Sequence, residues 1–390
     1  MIYPKLSGPI RTSISRFEMK LFIVINVDWF FISHRLPVAI AAQKAGWDVT
    51  VVTADTGRLK DIELAGLKTI DLPMSRSGMN ILQELKALWF LYRLYLREKP
   101  DVVHHVGIKA ILWGTLAAKF AKVYGVVNAI SGLGGFFAED NQSLFSKILP
   151  SVLCFSHNRK NLFVIFQNQE DRQLYLNHHI IKESQARFIK GSGVDLSAYA
   201  YTDEPTTEKL IILLTCRMIR EKGVFVLTEA AEMLRKDYEG RVEFWIAGGL
   251  DDHPGAITKN EMDATCDGQY IKWLGRREDV RELLQQCHIF AFPSYYMEGL
   301  PKSLIEACAI GRPIVTTNHV GCKAVVTDGD NGYLVPVKDV SSLAEKLKVL
   351  IDNRELRMEM GKASRQIAEE NFSLDEVIDK HLSIYQELAS

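Results

Sequence analysis

No two of the six cysteines (Cys154, Cys216, Cys266, Cys287, Cys308, Cys322) are spaced as CxxC. That speaks against a zinc site or a secreted disulfide framework, and for reduced thiols. No run approaches the ~18 consecutive apolar residues of a membrane span. Residues 1–18 contain no apolar h-region, so a secretory signal is not expected; they read as an extension ahead of Met19-Lys20. The GxGxxG fingerprint is missing after the first strand, which counts against an NAD- or FAD-binding first domain. A polybasic tail, a short-period repeat and a low-complexity segment are also missing, and no nucleic-acid partner is expected. Net charge is nearly absent too, with 47 Lys+Arg against 48 Asp+Glu.

That balance hides a split. Residues 1–200 hold 24 basic and 16 acidic side chains, and residues 201–390 hold 23 and 32. The halves therefore differ in electrostatic character, as two domains with different partners would. At 47% hydrophobic and 24% charged, the 390-residue chain is globular, with length for two or three domains.

From Lys20 onward, strand and helix patterns alternate. LFIVIN (21–26), WDVTVVT (47–53), LKTIDL (67–72), DVVHHV (101–106), VVNAIS (126–131) and FVIFQN (163–168) read as buried parallel strands. Helical periodicity lies between them at 34–45, 79–98, 109–124 and 169–178. After a polar stretch at 197–209 the pattern restarts with KLIILLTC (209–216), VEFWIAG (242–248), YIKWLG (270–275), HIFAFP (288–293), PIVTT (313–317) and GYLVP (332–336). Two serial α/β domains follow from this, each a parallel sheet covered by helices. The helix-rich tail at 340–388 exceeds what one crossover needs, so part of it is expected to pack back on the first domain.

Three constellations carry candidate chemistry. In EGLPKSLIEACAIGRPIVTT (298–317), Pro301 suits a helix start, which puts Gly299-Leu300 at a helix N-terminus that favours an anion. Glu306, further into that helix, can accept bonds from a ribose diol, and Glu298 can face a sugar hydroxyl. In CRMIREKGV (216–224), Arg217 and Lys222 follow a strand end beside a helix start, where cations neutralise a diphosphate. In WIAGG (245–249), Gly248 admits close backbone approach to a ligand, or simply makes a turn. In the first half, Asp28, Ser33, His34 and Arg35 cluster after the first strand, and His104, His105 and Lys109 lie at another strand end. Strand alternation points the two histidines to opposite faces, so one of them reaches a cleft.

Two metal-like patterns are discounted. Asp328-Gly329-Asp330 reads as a turn, and Asp251-Asp252-His253 lacks spaced partners, so no metal is expected. LQELKALWFLYRLYLREK (82–99) and LFSKILPSVLCFSHNRKNLF (144–163) mix aromatic and basic residues. Each fits a lipid interface or a core helix with a solvated basic edge.

Taken together, Arg217/Lys222, the Glu298–Glu306 string and GRPIVTTNHVGCKAVVTDGDNGYLVP resemble the GT-B glycosyltransferases of family 4. NVDWFFISHRLP, HHVGIKAILWGTLAAK, ISGLGGFF, FQNQEDRQLY and IKGSGVDL resemble the branch of bacterial capsule and O-antigen transferases. LGRREDVRELLQQCHIFAFPSYYMEGLP is similar to GalNAc transferases of bacterial N-glycan assembly. The resemblance implies two Rossmann-like doubly wound domains facing a central cleft. It divides the chain into an extension (1–18), an acceptor domain (19–200), a donor domain (201–370) and a returning C-terminal helix (371–390). It implies a nucleotide sugar, most simply UDP-linked, transferred with retention to a polyprenyl-diphosphate-linked glycan without a metal. Arg217 and Lys222 would then hold the diphosphate, Gly248, Gly299 and Leu300 the donor, Glu306 the ribose and Glu298 the sugar. His104 or His105 would sit near the transferred sugar, with His105 the named catalytic candidate, and Lys109 would contribute to binding. The expected location is cytoplasmic, peripheral on the anionic inner face of the plasma membrane. A soluble transferase with a small or protein acceptor and a non-catalytic nucleotide-sugar-binding protein are the alternatives.

Overall fold

A computed structural model describes residues 19–74, 81–132, 144–297 and 299–389. The extension at 1–18, Gly134-Gly135 and the candidate Glu298 lie outside the described residues. Among those described, residues 19–192 joined by 375–389 form one compact unit and residues 193–374 another.

The first unit is built on β1 (Met19–Ile25), β2 (Trp47–Thr53), β3 (Lys68–Asp71), β4 (Val102–Val106), β5 (Gly125–Ala129), β6 (Leu162–Phe166) and β7 (Ala186–Phe188). These strands are parallel and ordered β3-β2-β1-β4-β5-β6-β7. Its helices are α1 (Asp28–His34), α2 (Leu36–Lys44), α3 (Leu59–Leu64), α4 (Ile81–Glu98), α5 (Ile108–Phe120), α6 (Leu144–His157) and α7 (Gln169–Asn177). The helix expected at 34–45 is α2, and α1 is a further helix ahead of it. Pro37, in the first turn of α2, has no N–H with which to continue the α1 ladder, and the chain bends at Arg35.

Alternation along β1 explains both faces of this sheet. Phe22 and Val24 enter a core with Leu91 and Tyr95 of α4 and Ala110 and Ile111 of α5. Leu21, Ile23 and Ile25 enter the opposite core with Val38 of α2. That second core is completed by Val377, Ile384 and Tyr385 of a helix from the far end of the chain. The continuous apolar runs thus reflect strands buried from both sides.

The second unit holds β8 (Leu210–Thr215), β9 (Val242–Ala247), β10 (Ile271–Trp273), β11 (Ile289–Phe292), β12 (Ile314–Thr317) and β13 (Gly332–Val335). They too are parallel, in the order β10-β9-β8-β11-β12-β13. The helices are α8 (Val224–Tyr238), α9 (Lys259–Thr265), α10 (Val280–Gln286), α11 (Lys302–Ile310), α12 (Val340–Asp352) and α13 (Arg354–Asn371). The final helix, α14 (Leu374–Ala389), supplies the residues that pack on the first sheet.

Candidate functional site

In the second sheet β8 pairs with β9 on one side and β11 on the other, and strand order reverses between β8 and β11. An open α/β sheet has its ligand crevice at the carboxyl ends of two such strands. The chain leaving β8 runs through Arg217 into a single 3-10 turn, Arg220–Lys222, and enters α8 at Gly223. The chain leaving β11 runs through Ser294 and Gly299-Leu300 to Pro301, which caps α11. Pro301 therefore stands just before the helix rather than within its first turn.

These two exits are tied together. The Tyr295 N–H donates to the Glu221 carbonyl at 2.8 Å, and the Ser294 hydroxyl donates to the same oxygen at 3.2 Å. Gly223 adopts φ +80°, and a Cβ there would lie 2.1 Å from the Pro293 carbonyl oxygen. Only glycine permits that approach. Lys222 is buried to 9% exposure, with its ammonium 5.4 Å from the Phe292 ring centroid and 5.1 Å from that of Tyr296. Rings at these distances stabilise a charge taken partly out of water.

Arg217 donates through Nη1 to the Asp251 carboxylate at 3.0 Å, and the arginine side chain is 32% exposed against 6% for the aspartate. Gly248 ends β9, where a Cβ would fall 1.7 Å from the Cys216 carbonyl oxygen. Its own carbonyl accepts from Trp273 Nε1 at 3.0 Å. Close packing of adjacent strand exits thus accounts for the glycine. Glu306, on the buried side of α11, accepts from the Tyr199 hydroxyl at 3.1 Å and lies 3.6 Å from Lys302 Nζ. Burial, and then the neighbouring Glu306 charge, raise the Tyr199 pKa, so its hydroxyl keeps the proton it donates.

The first unit corrects the expectation for its histidines. His105 is fully enclosed, with Nδ1 2.8 Å from Asn128 Oδ1 and Nε2 3.0 Å from the Tyr95 hydroxyl. Its ring lies so close to α5 that a Cβ at Gly114 would meet it at 2.3 Å. Burial pushes its pKa down to about 3, so the ring is neutral. A side chain walled in by α4, α5 and β5 does not reach a substrate, and His105 is a core residue. His104 points to the other face and is equally enclosed, 2.7 Å from the Tyr385 hydroxyl and with its ring centroid 5.5 Å from that of His381. Every residue of β4 is buried, because helices cover both faces.

Lys109, near the start of α5, places Nζ 2.7 Å from Glu84 Oε1, and Trp113 Nε1 donates to the other oxygen. Asp28 is fully buried and organises the loop after β2. It accepts the N–H groups of Trp29, Thr56 and Arg58 at 2.6, 2.7 and 3.0 Å, and the Thr56 hydroxyl. Burial raises its pKa, but the bonds from Thr56, Arg58 and Trp29 outweigh this and hold it below the usual value. Ser33 Oγ contacts the His34 ring, and Arg35 is buried with Nη1 on the His34 carbonyl. Asp328 accepts the Leu334 N–H at 2.8 Å, and Gly329 N–H donates to Gly332, so the D-x-D string forms a turn.

Three partners escaped sequence reading: Asp251 for Arg217, Tyr199 for Glu306, and the Phe292/Tyr296 rings for Lys222. Tyr199 lies 107 residues from Glu306, beyond any local pattern. Phe292 and Tyr296 flank the β11 exit, and aromatics there were the available signal. Among the described residues no helix is long and apolar enough to cross a membrane, and no three His, Cys, Asp or Glu side chains gather to hold a metal.

Two family models match this chain in succession, "Glycosyl transferase 4-like" over residues 20–168 and "Glycosyl transferases group 1" over residues 202–367. The chain belongs to the family-4 GT-B glycosyltransferases. Within this group it is 28% identical to the N,N'-diacetylbacillosaminyl-diphospho-undecaprenol alpha-1,3-N-acetylgalactosaminyltransferase of Campylobacter jejuni, across 91% of this chain and 97% of that one. It is 23% identical to the UDP-Gal:alpha-D-GlcNAc-diphosphoundecaprenol alpha-1,3-galactosyltransferase of Escherichia coli, across 98% and 95%. Its fold matches that of Anabaena HepE, solved in complex with UDP and glucose, with a TM-score of 0.73, 17% identity and coverage of 95% and 100%.

Proposed function

We propose that this glycosyltransferase moves a hexose or N-acetylhexosamine from a UDP-sugar, with retention, to a polyprenyl-diphosphate-linked glycan during surface polysaccharide or glycoprotein glycan assembly. The observation that carries this reading is the joining of the β8 and β11 exits, which brings the Lys222 ammonium to the rings of Phe292 and Tyr296 at the strand-order reversal. The named substrates of the Campylobacter and Escherichia relatives support the acceptor class, and UDP in HepE supports the donor.

In this mechanism Arg217, Lys222 and the first-turn amides of α11 stabilise charge as the nucleoside diphosphate departs. Glu306 accepts the ribose hydroxyls, and Glu298 engages the sugar. The acceptor hydroxyl attacks on the face the leaving group vacates, and the departing β-phosphate takes its proton. The anomeric carbon–oxygen bond to phosphate breaks as the new glycosidic bond forms. No side-chain base is required, which accommodates the enclosure of His105. The first unit carries the acceptor.

The test is a donor screen against lipid extracted from bacterial membranes, reading released UDP or GDP and the anomeric configuration of the product. UDP release that depends on acceptor and falls at least about a hundredfold in Lys222→Ala is expected. Unchanged transfer by that variant, or an inverted product, overturns the mechanism.

A further inference from the structure

The first unit holds an open pocket at the edge of its sheet where β5 and β6 begin. Lys119, Lys122, Val123, Tyr124, Arg159 and Asn161 line a volume of about 310 Å³. That is the small end of the ~300–1,000 Å³ range of small-molecule sites. Tyr124 and Asn161 directly precede β5 and β6, so the pocket lies at the opposite edge from the strand ends where such a sheet takes its substrate. Among the described residues, Lys119, Lys122 and Arg159 meet no carboxylate, whereas Lys68 and Arg172 meet Asp48 and Glu183.

Capping of helix ends accounts for part of this charge. Lys119 Nζ donates to the Phe155 and Asn158 carbonyls at 2.7 and 3.1 Å, at the end of α6. Arg159 Nη2 donates to the Val123 and Tyr124 carbonyls. Arg159 Nε and Nη1 and the whole Lys122 ammonium are left over, with no protein acceptor among the described residues. Lys122 also stands at φ +58° just past the end of α5, where glycine is the usual residue. Burial, and then the Arg159 charge, lower the Lys119 pKa, so these cations oppose one another in the empty pocket.

We infer that this pocket binds a phosphate monoester of a small sugar or polyol. The spare edge of a guanidinium beside an ammonium suits a tetrahedral oxyanion. A monoester carries about −1.5 to −2 charge at pH 7, more than the phosphodiester of a lipid headgroup, and three cations favour the higher charge. The Tyr124 hydroxyl and the Asn161 amide supply polar partners for a hydroxylated body. The inference uses no residue of the transfer site and stands apart from the proposed function.

The experiment is calorimetric titration of the full chain with mannose 6-phosphate, inorganic phosphate or mannose. Mannose 6-phosphate should bind more tightly than inorganic phosphate, both more weakly as salt is raised, and mannose should not bind. Lys122→Gly should weaken mannose 6-phosphate binding about tenfold or more through loss of a charge-assisted bond. Its urea midpoint should hold or rise, because φ +58° suits glycine. Lys222→Ala, in the second unit, should leave the binding unchanged. Footprinting with acetic anhydride reads the wild-type chain directly: mannose 6-phosphate should shield Lys122 and leave the exposed Lys44 as reactive as before. Equal binding by Lys122→Gly, loss of binding in Lys222→Ala, or an unshielded Lys122 overturns the inference. So does affinity no better than that of inorganic phosphate, or shielding of Lys122 by phosphatidylglycerol vesicles and by neither free phosphate.

Discussion

Arg217 and Asp251 face each other across neighbouring strand exits at 3.0 Å, the arginine partly open and the aspartate nearly closed off from water. Removing the arginine takes the cation away from a buried carboxylate whose other oxygen accepts the His253 N–H at 2.9 Å. Arg217→Ala is therefore expected to lose about 1–3 kcal/mol of stability as well as transfer activity. Adding Asp251→Asn to it should recover most of the stability and none of the transfer. A double-mutant cycle on urea midpoints, with UDP release measured in parallel, separates these two roles.

Glu306 receives one hydrogen bond from Tyr199, which the amide of Glu306→Gln can still accept. The fold should tolerate that change. The lost negative charge should weaken UDP binding about tenfold, as charge-assisted bonds to the ribose diol become neutral ones. Calorimetry with UDP checks this, and equal affinity in the variant would remove Glu306 from the site.

Cations and amides at the β8 and β11 exits are proposed to carry the diphosphate charge. Transfer by protein dialysed against EDTA should therefore match the untreated rate. A loss restored by added magnesium would show that a divalent ion shares this task.

A methyl group at Gly248 would lie 1.7 Å from the Cys216 carbonyl oxygen, which belongs to backbone and cannot rotate away. Gly248→Ala is expected to destabilise the second unit by about 1–3 kcal/mol or more through forced separation of β8 and β9. A lowered urea midpoint is the readout.

Four enclosed histidines make the first unit sensitive to acid. Burial holds His105 and His381 at about 3 and His157 at about 4, and drives His104 well below its ordinary value. Each takes up its proton near pH 6.5 once unfolded, so the stabilisation is complete above that pH and is lost as pH falls towards the folded values. Asp171, pushed up to about 6 by burial, works in the opposite direction between its unfolded and folded values. Four groups against one leave a net loss, approaching about 1.4 kcal/mol per pH unit for each histidine. Urea midpoints at pH 7, 6 and 5 should fall, and His381→Gln should flatten the trend.

The longer strands were legible because apolar runs such as LFIVI and IILLT have little alternative to burial between helices. β7 was not, since Ala186-Arg187-Phe188 is a three-residue edge with no such run. Helix α2 was legible at 34–45, whereas α1 was not, since the seven residues Asp28–His34 are too few to show a helical period. At the site, Arg217 and Lys222 were visible by their place after β8, whereas their partners came from other strand exits. The histidines misled for a general reason. Alternation tells which face of β4 a side chain takes, but whether that face is open depends on α4, α5 and α14, the last nearly 300 residues away in the chain.

That distance also orders events during synthesis. Trp47 and His104 have emerged from the ribosome long before Tyr385, whose ring and hydroxyl cover them, is translated. The first unit to be made is consequently the last to be finished. Its nascent sheet has one face incomplete while the whole second unit is made, a window in which a chaperone would find it.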